Sequence, residues 1–217
     1  STESGGDVSG ILGAGNSSIW LGKVKKSLKL KRCAINILPL LKLHEDNVME
    51  KFELYAKKEE HVSSILGAGN RSIWLGRVKS LQLYQHAVNT LPKLKLELHE
   101  DSEIEELYLC AWYREYVSSI LGAGDRSIWL GKVKKSLRLA LYAISILPKL
   151  RLHEDNVMEW LYLGVWGREY VSEILVKKDS SIWLGKVKSL TLKGHAVNLL
   201  PKLKLHEDNV MANFSLD

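Results

Sequence analysis

Residues 133–150 read VKKSLRLALYAISILPKL, and the secondary structure assigned to them decides the fold. Leu130, Val133, Leu137, Ala140, Ile144 and Leu147 follow a three-and-four spacing that would lay an apolar stripe along a helix. Three further copies of the stretch stand elsewhere in the chain. Trp20, Trp74, Trp129 and Trp183 are 54, 55 and 54 residues apart. Each is followed by a Ser-Leu pair, by Pro39, Pro92, Pro148 or Pro201, and by a His-Glu-Asp triplet. Self-similarity at a fixed period outranks other signals, so residues 1–217 are expected to form a single domain of four units.

The copies differ in length at two places. From Ser27, Ser80, Ser136 and Ser189 to the following Pro the distance is always 12 residues. Just before that Ser, units one and three read VKKSL where units two and four read VKSL. One added residue turns a helix by about 100° or flips a strand, so an element boundary is expected there. Unit two also reads LPKLKLELHED where unit three reads LPKLRLHED. Two added residues keep a strand's alternation and break a helical stripe.

Alternation is visible at Leu94, Leu96 and Leu98, at Leu161 and Leu163, at Ile182 and Leu184, and at Leu203 and Leu205. Each unit then reads as strands at LKLHE, VMEWLYL, REYVSSIL and SIWLG, joined to the next by a helical connection through VKKSLRLALYAISIL. Four short strands and a connector describe one propeller blade. The predicted fold is all-β with short connecting helices, a four-bladed β-propeller. The alternative is an all-α repeat of helical hairpins, favoured by 38 Leu against three Thr. A leucine-rich-repeat horseshoe, suggested by LPKLKL and IEELYL, is set aside because its units should recur every 20 to 29 residues. The terminal segments DVSGILGAGNSSIWLG and LPKLKLHEDNVMANFSLD together rebuild one unit, as a closed ring with a shared blade requires.

In period and element order, with EWLYLGVWGREYVSEI as a strand pair, SIWLG as outer strand and LPKL closing the helix, the chain resembles the hemopexin fold. The form it is most similar to is that of the legume seed albumins. The resemblance implies a non-enzymatic binding protein, with ligands at a central channel and, as in some seed members, sugar-dependent agglutination of cells.

Lys and Arg number 31 against 25 acids, a net charge of +6 spread through every unit. Charge so evenly mixed describes a solvated surface, and no nucleic-acid partner is expected. No run of eighteen uncharged apolar residues occurs, and the first fifteen residues lack a basic n-region, so neither a membrane span nor a signal peptide is expected. The expected setting is soluble, in the cytoplasm or a seed storage compartment. Cys33 and Cys110 fall at non-equivalent positions of the repeat, which argues against a disulfide framework.

Two sets of residues are candidate sites. Glu45 and Asp46, Glu100 and Asp101, Glu154 and Asp155, and Glu207 and Asp208 are hard oxygen ligands that a ring around a channel could offer to Ca²⁺ or another ion. The simpler reading is a turn whose Asp and Asn side chains cap local backbone. Between the alternating leucines stand Lys42, Lys95, Arg151 and Lys204, and leucines facing inward are expected because buried unpaired ammonium groups are costly. The four repeated Trp residues are expected to pack between units. Trp112, Tyr113, Trp160, Trp166 and Tyr170 differ between units, so they are the candidate surface for a carbohydrate or small-molecule ligand. GAGN lacks the Lys-Ser/Thr of a phosphate loop, and no G-x-S-x-G elbow occurs. The expected function is therefore lectin-like binding without catalysis, made multivalent by symmetry or a homodimer. The alternative is a protein-interaction scaffold of α-helical repeats.

Overall fold

A computed structural model describes residues 8–12, 18–96 and 103–217. The strands are β1 (Ile19–Gly22), β2 (Ser27–Lys31), β3 (Leu41–Leu43), β4 (Val48–Ala56), β5 (Ile73–Trp74), β6 (Arg77–Gln85) and β7 (Leu94–Lys95). They continue as β8 (Glu103–Ala111), β9 (Ile128–Leu141), β10 (Leu150–Leu152), β11 (Val157–Val165), β12 (Ile182–Gly194), β13 (Leu203–Leu205) and β14 (Asn213–Leu216). Single-turn helices α1 (Ser9–Leu12), α2 (Ser63–Leu66), α3 (Ser118–Leu121) and α4 (Ser172–Leu175) alternate with longer 3-10 segments at Arg32–Leu40, His86–Lys93, Tyr142–Lys149 and His195–Lys202.

β2, β4, β6, β8, β9, β11, β12 and β14 lie side by side in chain order, every pair parallel. Leu28, Phe52, Leu81, Leu107, Leu137, Leu161, Leu190 and Phe214 are successive register partners across them. One turn of the coil therefore takes between 24 residues (Leu28 to Phe52) and 30 (Leu107 to Leu137). Each 54-residue unit contains two coils, and the period that sets aside a leucine-rich-repeat coil counts two turns as one. In most of these strands an apolar residue precedes a Leu-x-Leu pair by three positions, as in Met158, Leu161 and Leu163, with four positions in β9 and Phe52 or Phe214 in place of the first Leu in β4 and β14, and each strand before β14 is followed by a short helical return.

The propeller and the all-helical alternative are both overturned. Propeller blades are separate antiparallel sheets around an axis, whereas here one parallel sheet runs open from β2 to β14 among the described residues. Among the described residues there is consequently no shared blade and no central channel. REYVSSIL is not a strand but a 3-10 turn at Arg114–Val117 followed by α3. VKKSLRLAL is not a helix but the second half of β9, and only Tyr142–Lys149 is helical. Leu137 and Leu139 face the core while Arg138 and Ala140 face away, so period two wins over the helical stripe. The expected boundary at the extra Lys is present in unit one, where β1 ends at Gly22 and β2 starts at Ser27, but not in unit three: β9 runs through it, and a β-bulge absorbs it where Ile104 pairs Val133 but Glu106 pairs Ser136. The segment with the two-residue insertion continues past Leu96, outside the described residues.

The core lies between the sheet and the helical returns. Leu54, Leu83, Leu109, Leu139, Leu163 and Leu192 form one fully buried column, and Phe52, Leu81, Leu107, Leu137, Leu161 and Leu190 a second. Each such side chain contributes roughly 1.5–3 kcal/mol of burial. Ile35, Val88, Ile144, Ile65, Ile120 and Ile174 close the column from the helical side. Asn47 and Asn156, almost fully buried, tie three coils together. Asn156 Oδ1 accepts from the Val133 N–H at 2.8 Å while its Nδ2 donates to the Leu184 carbonyl at 3.3 Å. Asn47 does the same with Val24 and Leu75. The Asn backbone carbonyl then accepts the N–H after SIWLG or its equivalent, from Arg77 and Lys186. That approach requires Gly76 and Gly185, whose φ is +74° and where a Cβ would overlap the Asn oxygen.

Outside the core, Glu50, Lys79, Glu105, Lys135, Glu159 and Lys188 occupy one position of successive strands with alternating sign. Lys79 binds Glu50 at 2.8 Å and Lys135 binds Glu105 at 2.6 Å. Among the described residues no helix is long and apolar enough to cross a membrane.

Candidate recognition face

The residue between the two leucines of each strand points away from the core and is free to vary. Across β4, β6, β8, β9, β11 and β12 it is Glu53, Gln82, Tyr108, Arg138, Tyr162 and Thr191. Parallel pairing puts these side chains about 4.8 Å apart in a row, so a variable column becomes a continuous surface. Tyr55 and Tyr84 have ring centres 6.4 Å apart, and Tyr84 meets Tyr108 edge to face at 5.4 Å. The Arg138 guanidinium follows, 5.0 Å from the Tyr108 ring and 5.8 Å from that of Trp160. Trp160 meets Tyr162 edge to face at 5.6 Å, and its indole N–H donates to Thr191 Oγ1 at 3.0 Å. Tyr162 lies over Gly164, where an added Cβ would come within 2.8 Å of the ring.

Burial pushes the Tyr108 phenol up to about 12 and raises that of Tyr84 as well, so both are neutral at physiological pH beside the Arg138 cation. The Cys110 thiol is also raised by burial, against hydrogen bonds with Tyr108 and Trp112 that favour the thiolate. Toward β2 the face turns ionic. Burial raises the Glu53 carboxyl, but hydrogen bonds and charge from Lys29 and Lys51 outweigh it and hold the group below its usual range. Polar groups at the edge of the row are Ser80, which donates to Glu106 at 3.2 Å, and Gln82, whose amide oxygen accepts from the Tyr84 hydroxyl at 3.0 Å.

The five aromatic residues singled out from the sequence do not form one site. Trp160 belongs to the row just described. Trp112 and Trp166 sit at the ends of β8 and β11, one strand apart, so about 10 Å separates them along the rim. They are 58% and 75% exposed. Tyr113 packs on Tyr116 with ring centres 5.4 Å apart, and Tyr170 on Tyr142 at 4.5 Å, both in the helical returns. Tyr84, Tyr108, Arg138 and Tyr162 were missing from that set. Their signal is the same variation between copies, legible once each L-x-L is known to be a strand.

Glu45 and Asp46 stand at the turn before β4, Glu154 and Asp155 at the turn before β11, four coils on, and Glu207 and Asp208 at the turn before β14, two coils further, while Glu100 and Asp101 lie outside the described residues. Among the described residues no group of three or more His, Cys, Asp or Glu could hold a metal ion. With no channel to gather them, these turns do local work instead. His44, His153 and His206 Nδ1 each accept the backbone N–H of the following Asp46, Asp155 or Asp208 at 3.1 Å. The leucines beside them, Leu43, Leu150, Leu152 and Leu203, face the core, and the bases face out. Arg151 covers the Trp129 ring at 4.8 Å and Lys204 the Trp183 ring at 5.9 Å. The repeated Trp residues thus alternate with cations along a second outer stripe. Cys33 and Cys110 are free thiols.

Comparison of the chain with protein-family models, with curated proteins and with solved structures gives no match.

Proposed function

We propose that the protein is a non-enzymatic recognition module that binds a polypeptide partner on the outer face of its parallel sheet. The observation that carries this reading is the unbroken row Tyr55, Tyr84, Tyr108, Arg138, Trp160 and Tyr162. Tyr, Trp and Arg are enriched among the side chains that dominate protein interfaces, and Tyr and Trp bury large areas while losing few rotamers. Stacked repeats are a common way to offer such a surface, each coil adding one strand's width. The row spans four strand intervals, roughly 19 Å, which suits an extended segment better than a small molecule.

The direct test is random-peptide display against the wild type and a Tyr108→Ala, Trp160→Ala double variant. Selected peptides should bind the variant at least about tenfold more weakly, the loss expected when aromatic anchors are truncated. Equal binding would overturn the reading. A sugar ligand is the second reading, favoured by the exposed Trp112 and Trp166 indoles on the rim. Glycan-array binding that disappears in Trp112→Ala, Trp166→Ala and survives in the face variant would establish it instead.

A further inference from the structure

Arg138 stands in the middle of the aromatic row, and among the described residues no carboxylate pairs with it. Its neighbours' charges are already engaged: Lys29 and Lys51 share Glu53, Lys79 holds Glu50, and Lys135 holds Glu105. Glu106, on the adjoining strand, accepts from Ser80. The guanidinium is held against Tyr108 and Trp160, and its Nε is buried without a hydrogen-bond partner. Guanidinium carries five N–H donors and no acceptor. Two rings fix its plane in advance, so little rotamer freedom remains to be lost on binding.

We propose that the partner segment carries an acidic side chain whose carboxylate docks on the Arg138 guanidinium, while its flanking residues lie on the Tyr108 and Trp160 rings. This rests on the reading of the sheet face as the recognition surface, and it adds the chemistry of the partner. A planar carboxylate matches the guanidinium fork bidentately. Its single negative charge matches one cation, whereas a phosphate dianion would leave charge uncompensated beside the neutral phenols of Tyr84 and Tyr108.

The test follows the arginine itself. In ¹⁵N-labelled protein the Nε–Hε signal of Arg138 is assigned by its loss in Arg138→Gln, and the Trp160 indole signal by its loss in Trp160→Phe. Blocked hexaglutamate, blocked hexalysine and inorganic phosphate are then titrated separately. Hexaglutamate alone should move the Arg138 signal saturably, and Arg138→Gln should bind it about tenfold or more weakly, with an unchanged thermal midpoint. An Arg138 signal that stays still, one that moves equally with phosphate, or undiminished binding by Arg138→Gln overturns the proposal. If hexaglutamate moves the Trp160 indole but leaves Arg138 unmoved, the acidic-partner proposal fails while the face keeps its role as a binding surface.

Discussion

At the scale of single residues, the fold depends on a few groups that touch two coils at once. Asn156 makes two hydrogen bonds to neighbouring coils, whereas Asn209, its equivalent in the last coil, shows only the bond from the Val187 N–H, at 2.6 Å. Asn156→Ala strands a buried N–H and a buried carbonyl, at about 1–3 kcal/mol each. Urea denaturation should therefore show Asn156→Ala losing roughly 2–5 kcal/mol, and Asn209→Ala less than half as much. Equal losses would mean that the ladder does not couple coils. His86 gives a pH dependence. Burial holds its imidazole below the usual value, with Glu59 and Glu115 opposing the shift, and its ring packs on Tyr116 at 4.3 Å. His61 is lowered by burial in the same way. Because the folded state keeps these groups neutral, the unfolded chain binds protons first. The stability they contribute is complete above about pH 6.5 and declines as pH falls toward the folded-state values. The urea midpoint should drop between about pH 7.5 and pH 5.5, and His86→Phe should shrink that drop. A midpoint difference untouched by the substitution would assign the effect elsewhere.

At the scale of elements, β9 explains both what sequence reading reveals and what it hides. The bulge in β9 absorbs one Lys on the solvent side of the strand, so deleting Lys134 converts unit three to the VKSL form of units two and four. Only an exposed ion pair with Glu103 is lost, and stability should change by less than about 1 kcal/mol. Deleting Arg138 instead would turn Leu139 out of the core, and the resulting chain should fail to give a cooperative thermal transition. Should both deletions behave alike, the bulge assignment is wrong. The four-fold unit, the strands SIWLG and LKL, the inward leucines and the turn at EDN are all legible from residues alone. VMEWLYL is legible as well, as β11. The strands that alternate with it, β2, β6 and the second halves of β9 and β12, are harder to see because their apolar residues are spaced two and three apart, or two and four across the bulge. Val133, Leu137 and Leu139 therefore imitate a helix, and abundant leucine strengthens the imitation. The face is hidden for a related reason. Tyr108, Arg138 and Tyr162 sit in different coils, and only parallel register makes them neighbours.

At the scale of the molecule, each coil is stabilised mainly by the coils on either side. Leu139 is fully buried in the middle of the sheet, whereas Phe214 on the edge strand β14 is 51% exposed. Leu139→Ala should cost about 2–5 kcal/mol and Phe214→Ala much less, measured by chemical denaturation. Amide exchange should be slowest in β8, β9 and β11 and fastest in β2 and β14. Uniform protection along the sheet would contradict a nearest-neighbour account of stability.

The alternating Lys and Glu column has one more consequence. A stack of near-identical coils could in principle pair one step out of place, because leucine meets leucine whatever the offset. A one-step slip would set Lys79 beside Lys135 and Glu50 beside Glu105, and on the other stripe Trp beside Trp. Only an even number of steps restores opposite charges. The two-coil period thus works as a parity check on assembly, disfavouring a one-step misalignment without any contribution from the core.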